Sequence, residues 1–202
     1  IYTLSLHDAL PICSDKVCLI LGDNLFWGQG FSPILQKSAG LTEGAVIFAY
    51  EVKDPDRFGI VEFDENRCAV SIEEKPTHPR SNFAVTGLYF YDSQVVELAK
   101  KIKPSERGEF EITSLNQLYL ENGALNVEIL GRGFAWLDTG THDSLQEATA
   151  FIRAIENRQH LKVACLEEIA LFKNWVTKDR LRQYSKEYFN SSYGEYLQTL
   201  LA

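Results

Sequence analysis

The sequence contains no methionine, only six prolines, and four cysteines (Cys13, Cys18, Cys68 and Cys165) that form no C-x-x-C pair. No histidine stands at metal-ligand spacing from those cysteines, which disfavours a zinc ribbon or a disulfide scaffold and leaves reduced, mostly buried thiols. Positive charge is in deficit: 20 Lys and Arg against 28 Asp and Glu give a formal net charge of −8. A nucleic acid or an anionic membrane needs a basic face, so neither is expected as the main partner. A small phosphorylated substrate needs only a few local cations and stays open. No apolar run approaches the roughly 18 residues that cross a bilayer. No G-x-G-x-x-G follows a strand and opens a helix, which disfavours a dinucleotide dehydrogenase.

What is present is an ordinary globular composition, 45% apolar and 24% charged over 202 residues. That suits one domain with a helical appendage. The opening IYTLSLHDALPIC lacks the basic start and long apolar stretch of a signal peptide. It is similar to a translated sequencing-adapter tail. Residues 1–13 are therefore expected to be non-native, 14–202 to be a partial domain, and 163–202 to be its helical C-terminal part. His7 and Asp8 then carry no chemistry.

Lys16–Leu21, Ala45–Val52, Phe83–Tyr91, Leu125–Leu130 and Phe134–Leu137 are short β-rich apolar runs and predict strands, the first two buried. Gly59–Phe63 and Cys68–Ile72 flank the turn Asp64-Glu65-Asn66 and predict a hairpin. Helical spacing appears over Phe31–Ser38, with Ser32-Pro33 as cap and first turn, over Ser93–Ile102, over Phe110–Glu121, and over about 142–159. The alternation predicts an α/β fold with a mixed, largely parallel sheet flanked by helices.

The stretch Leu19 to Phe31, LILGDNLFWGQGF, stops an apolar run at Gly22-Asp23-Asn24. Ligands in open α/β sheets bind beyond strand ends. Asp23 follows one such strand, and Asp138 ends another in Trp136-Leu137-Asp138-Thr139-Gly140. Two carboxylates at two strand ends suit Mg²⁺, a hard ion that takes one or two carboxylates together with substrate phosphates. For either motif taken alone turn chemistry is the plainer reading, and for the two together it stands level with metal binding. Lys75, in Ile72-Glu73-Glu74-Lys75-Pro76, is placed to offset a phosphate, and Glu74 to accept sugar hydroxyls; a solvated charge run is the plainer reading. Asp54-Pro55-Asp56 has the D-x-D form of metal-dependent glycosyltransferases but lies in a polar stretch that reads as a loop.

LGDNLFWGQGF, DPDRFGIVEFD, EEKP, SNFAVTGLYFYD, KPSERGEFEITSLNQLYL, LGRGFAWLDTGTHDSL and ACLEEIA occur in that order. Together they closely resemble the glucose-1-phosphate thymidylyltransferases of the short bacterial type, from about Lys16 to the C-terminus. The resemblance implies a nucleotidyltransferase fold whose first strands lie outside this sequence. It implies Mg²⁺-dependent transfer of dTMP from dTTP to glucose 1-phosphate, giving dTDP-glucose and pyrophosphate, the first step toward dTDP-rhamnose. Asp23 and Asp138 match the metal-binding aspartates and Lys75 the lysine on the sugar phosphate. Gly59, Glu74 and Val85 match glucose-binding positions. Tyr89 and Trp136 line the same region. Arg107 resembles a second phosphate contact, and Arg132 part of a regulatory nucleotide site. A cytoplasmic homotetramer is also implied.

The family's glycine-rich G-G-x-G-T-R loop, which cradles the nucleoside triphosphate, has no match in these 202 residues. The chain by itself is therefore expected to be inactive and poorly stable. The alternatives are a non-catalytic sugar-nucleotide-binding module, a uridylyltransferase of the same superfamily, or a glycosyltransferase built on Asp54 and Asp56.

Overall fold

The computed structural model describes residues 15–105 and 107–202. The expected non-native segment 1–13 lies outside them. The chain divides into two compact units, one reaching to Thr139 and one from Gly140 to Ala202.

The first unit carries the strands β1 (Val17–Ile20), β2 (Asn24–Gly28), β3 (Ala45–Glu51), β4 (Gly59–Phe63), β5 (Ala69–Glu74), β6 (Phe83–Tyr91), β7 (Leu125–Leu130) and β8 (Phe134–Asp138), with helices α1 (Phe31–Ala39), α2 (Val95–Ala99) and α3 (Ile112–Glu121). Six strands form one sheet in the order β5-β4-β6-β3-β7, with β1 also on β6. The centre is β3 and β6, whose near-continuous apolar runs are covered on both faces. One face packs Ile47, Ala49, Tyr89 and Tyr91 against Leu98, Leu115 and Tyr119 of α2 and α3. The other packs Val46, Phe48, Leu88 and Phe90 against Ile34 and Leu35 of α1 and against Phe26 and Phe134.

The mixed α/β sheet is as expected. Its directions are less parallel than the alternation of strands and helices implied: β3–β7 is parallel, whereas β1–β6, β3–β6, β4–β5 and β4–β6 are antiparallel. The reason lies in β6, a long strand that pairs β3 along one edge and takes the β4–β5 hairpin and β1 along the other. The hairpin forms where the turn predicted it. Asp64 Oδ1 accepts the backbone N–H groups of Asn66 and Cys68, and Arg67 takes the left-handed conformation at φ 62°.

Three local readings change. β1 is not a buried strand: it alternates half-buried and exposed residues, with Ile20 58% exposed. The helix expected over Ser93–Ile102 shortens to Val95–Ala99, because the Asp92 carboxylate captures the Gln94 N–H at 3.0 Å before the helix begins. The cap of α1 is Gly30 in the left-handed region at φ 79°, not Ser32.

The second unit holds α4 (His142–Gln159), α5 (Leu166–Phe172), α6 (Lys178–Glu187) and α7 (Ser192–Thr199). It takes in the long helix that the sequence placed ahead of residue 163. Thr141 and Ser144 form a reciprocal capping box at the start of α4. Cys165, Leu181 and Leu197 make its small core. Among the described residues no helix is long and apolar enough to cross a membrane.

Candidate active site

The sequence reading missed one strand, and that strand builds the site. Asn24–Gly28 is assigned no element from the sequence. It folds back as β2 and pairs antiparallel with β8 in a separate two-stranded sheet, with Asn24 opposite Asp138 and Phe26 opposite Trp136. Large aromatics at β2 positions favour a strand, and the ring of Phe26 packs on Phe31 at 5.6 Å, with Phe134 5.7 Å from Phe31. The signal was visible in Leu25-Phe26-Trp27, masked by the turn residues on either side.

This pairing places the two predicted aspartates on neighbouring rungs. Asp138 is the last residue of β8, and Thr139 just beyond it donates both its N–H (2.8 Å) and its hydroxyl (2.9 Å) to the Asp23 carbonyl. Asp23 is exposed and Asp138 half-buried. The donor set is hard oxygen, open to solvent, which fits Mg²⁺ completed by water and phosphate oxygens. Among the described residues no group of three or more His, Cys, Asp or Glu is gathered for a metal, so no closed cage is built there.

Glu74 ends β5 opposite Gly59 at the start of β4. Its Oε2 accepts a short hydrogen bond from the buried Thr113 hydroxyl of α3. A Cβ at position 59 would lie 3.1 Å from that same carboxylate oxygen and 3.0 Å from the Thr113 hydroxyl, so glycine leaves the room in which Glu74 is held. Thr113 carries no motif of its own, and sequence reading passed over it. Lys75 follows, exposed, with Nζ 3.9 Å from Glu74 Oε1 and its N–H on the Phe58 carbonyl at 3.0 Å. Its φ is +43°, a conformation that costs a side-chain-bearing residue about 1–2 kcal/mol.

Lys75→Gly should therefore be neutral to stability within about 1 kcal/mol, since relief of the strain offsets the extra freedom of the unfolded glycine. Thermal unfolding checks this outcome, and a large loss of stability would refute the strain.

Tyr89 of β6 is 3% exposed. Burial pushes its phenol well above the ordinary tyrosine range, and the nearby charges of Glu74 and Asp23 push the same way. Its hydroxyl thus stays neutral at physiological pH. Val85 lies half-buried on the same strand. Trp136 of β8 packs its ring against Phe58 (5.1 Å between centroids) and Tyr50 (6.1 Å). Arg57, another residue the sequence reading did not single out, donates to Asp54 at 2.7 Å. That hydrogen bond, with the charges of Asp54, Asp138 and Asp56, raises its pKa against the opposing effect of burial. Asp54-Pro55-Asp56 leads into a short 3₁₀ turn, Pro55–Arg57.

Asp23, Asp138, Glu74, Lys75, Gly59 and Tyr89 are thus linked through pairing, hydrogen bonds and field effects. Arg107 is not drawn into this group by any described contact: its guanidinium meets Glu109 at 2.9 Å and Glu111 at 3.8 Å. Arg132 is exposed in the Gly131–Gly133 turn between β7 and β8.

A family model described as nucleotidyl transferase matches residues 7–155. The chain belongs to the nucleotidyl transferase family. Within this family it is similar to glucose-1-phosphate thymidylyltransferase of Neisseria meningitidis, 57% identical over 190 residues that cover 94% of this chain and 66% of that protein. It is also similar to the enzyme of that name from Mycobacterium tuberculosis, 50% identical over the same shares of the two chains. A crystal structure of a Bacillus anthracis protein assigned to the same enzyme, solved with sucrose, is 42% identical at a TM-score of 0.62, covering 71% of this chain and 56% of that one. UDP-glucose pyrophosphorylase bound to UDP-glucose shares the fold alone, at 20% identity and a TM-score of 0.59, over 74% of this chain and 62% of that one. The nucleotidyl transferase described here spans about two thirds of the length of the Neisseria and Mycobacterium relatives.

Proposed function

We propose that this nucleotidyl transferase carries the sugar-phosphate part of an active site whose whole protein converts dTTP and glucose 1-phosphate to dTDP-glucose and pyrophosphate. The observation that supports it most is the β2–β8 pairing, which puts Asp23 and Asp138 on adjacent rungs, while the charges of Asp23 and Glu74 both act on Tyr89. The names of the relatives at 50–57% identity point the same way.

A phosphate oxygen of glucose 1-phosphate attacks the α-phosphorus of dTTP, the α–β P–O bond breaks, and pyrophosphate leaves in line. The protein's part in such a displacement is positioning and charge neutralisation. Lys75 offsets the sugar phosphate. Glu74, fixed by Thr113, accepts hydroxyls of the glucose ring, and Tyr89 stands behind it as a buried donor. Gly59 and Val85 complete the glucose contact, and Trp136 walls it. Asp23 and Asp138 would hold Mg²⁺. The chemistry such an ion would supply there is neutralisation of phosphate charge. Arg107 as a second phosphate contact and Arg132 in a regulatory nucleotide site extend the proposal, and for Arg107 the phosphate must compete with Glu109 and Glu111.

A cytoplasmic homotetramer serving dTDP-rhamnose formation also belongs to this reading. Exposed Leu166, Phe172 and Trp175 of the helical unit offer apolar surface for assembly.

The test is synthesis of dTDP-glucose against UDP-glucose by the whole protein, restored with the glycine-rich segment of a relative. A dTTP preference of at least tenfold supports the proposal; a UTP preference makes the enzyme a uridylyltransferase, and sugar-nucleotide binding without turnover makes it a binding module. The 202 residues alone should make no detectable dTDP-glucose, having no G-G-x-G-T-R segment. Turnover by them would overturn that expectation.

A further inference from the structure

We infer that Asn24 is the positioning residue of this site, one amide that sets both the Trp136 indole and the Asp23 carboxylate. Its Oδ1 accepts the Trp136 Nε1–H at 2.6 Å and the Gly87 N–H at 2.9 Å, while its Nδ2 donates to Asp23 Oδ1 at 3.0 Å. Three elements meet on this side chain: β8 through Trp136, β6 through Gly87, and the β1–β2 turn through Asp23.

The backbone of β6 is shaped to receive it. Ile47 pairs with Tyr89 and Ala49 with Val85, so Thr86, Gly87 and Leu88 stand opposite the single residue Phe48. Two extra residues make a larger bulge that keeps side chains on their proper faces, because the shift is even. Gly87 turns its polar groups to the β1 side of β6, away from β3. Its carbonyl accepts the Leu21 N–H at 2.8 Å, and its N–H goes to Asn24. Position 87 is glycine because a Cβ there would lie 2.6–2.7 Å from all three terminal atoms of the Asn24 side chain.

The two halves of the amide have different consequences. The acceptor half fixes Trp136, whose hydrogen bond opposes rotation of the indole away from Phe58 and Tyr50. The donor half leaves one oxygen of Asp23 engaged by the protein and restrains the direction of the carboxylate. Asparagine supplies an acceptor and a donor at once. Aspartate keeps only the first and adds a like charge next to Asp23; alanine keeps neither. The effect on ligand binding rests on the sugar-phosphate reading above, whereas the effect on Trp136 does not.

The experiment follows the Trp136 indole N–H of the chain in ¹H–¹⁵N spectra, assigned through Trp136→Phe and titrated with glucose 1-phosphate. In the unaltered chain this proton should exchange slowly with solvent and its signal should move on titration. Asn24→Ala should speed exchange at least tenfold and raise the titration midpoint about tenfold. Asn24→Asp, which keeps the acceptor, should retain slow exchange while raising the midpoint, and it carries the test if the alanine variant fails to fold.

Unchanged exchange in Asn24→Ala, or fast exchange in Asn24→Asp, would overturn the inference. So would altered exchange with an unmoved titration midpoint, which would make the bond structural only. If the unaltered chain gives no response to glucose 1-phosphate while exchange still follows Asn24, the sugar-phosphate reading fails and the positioning of Trp136 stands.

Discussion

Asp138→Ala and Asp23→Ala should each weaken Mn²⁺ binding at least tenfold if the proposed metal site is right, a loss to be read by electron paramagnetic resonance. Mn²⁺ serves as the probe because it accepts the same carboxylate and water ligands as Mg²⁺. The size follows from the donor count. A site with two protein carboxylates loses half of its protein charge when either is removed, and water replaces that ligand without replacing its charge. For Asp23→Ala the expected loss has little structural component: Asp23 is exposed, and the contact that joins it to the β8 side is made by its backbone carbonyl, which alanine retains. Asp56→Ala leaves Mn²⁺ binding unchanged on this reading. The opposite pattern, loss with Asp56→Ala and none with Asp138→Ala, would move the chemistry to Asp54 and Asp56 and with it the class of enzyme.

The largest expected effect on stability lies away from the site. Asp92 is 3% exposed, and its carboxylate takes four hydrogen bonds. Oδ2 accepts the Gly44 N–H at 2.6 Å and the Gln94 side-chain amide at 2.9 Å. Oδ1 accepts the Tyr119 hydroxyl at 2.8 Å and the Gln94 N–H at 3.0 Å. Tyr119 in turn stacks on Tyr91 at 5.5 Å, inside the core that supports β6. Asp92→Ala strands the buried Tyr119 hydroxyl and Gly44 N–H, each costing about 1–3 kcal/mol. The expected loss is about 3–5 kcal/mol, a large part of the stability of a domain this size. Tyr119→Phe removes one donor without leaving a buried hydroxyl unpaired, and should cost about 1–2 kcal/mol. Denaturant unfolding of both variants and of the double mutant measures the coupling; additive losses would show that the Asp92–Tyr119 bond contributes nothing beyond its separate parts.

The two predictions separate what the chain shows at its surface from what holds it together. Deleting the Asp23 carboxylate should alter binding with little change in unfolding. Deleting the Asp92 carboxylate should unfold the sheet that presents it. A site built on strand ends inherits its accuracy from the buried ladder behind it.

Much of this was legible in the chain. Phe83–Tyr91 is a strand with the expected bounds, because burial on both faces leaves a continuous apolar signature, and Leu125–Leu130 is another, with Asn126 and Glu128 alternating with its apolar residues. The hairpin was legible because Asp64 makes its turn from local contacts alone. Asp23, Glu74, Lys75 and Asp138 could be picked out because acidic or basic residues at the ends of apolar runs break the pattern. What could not be read is whatever depends on a partner far along the chain. Strand β2 exists because β8, more than 100 residues later, pairs with it. The function of Asn24 is set by Gly87 and Trp136, and that of Thr113 by Glu74. The bulge in β6 has no sequence mark except a glycine. Local composition determined most of the elements and singled out the charged candidates. Long-range pairing and close packing decided which of those residues meet, because such contacts are selected by the tertiary fold and leave little trace in local sequence.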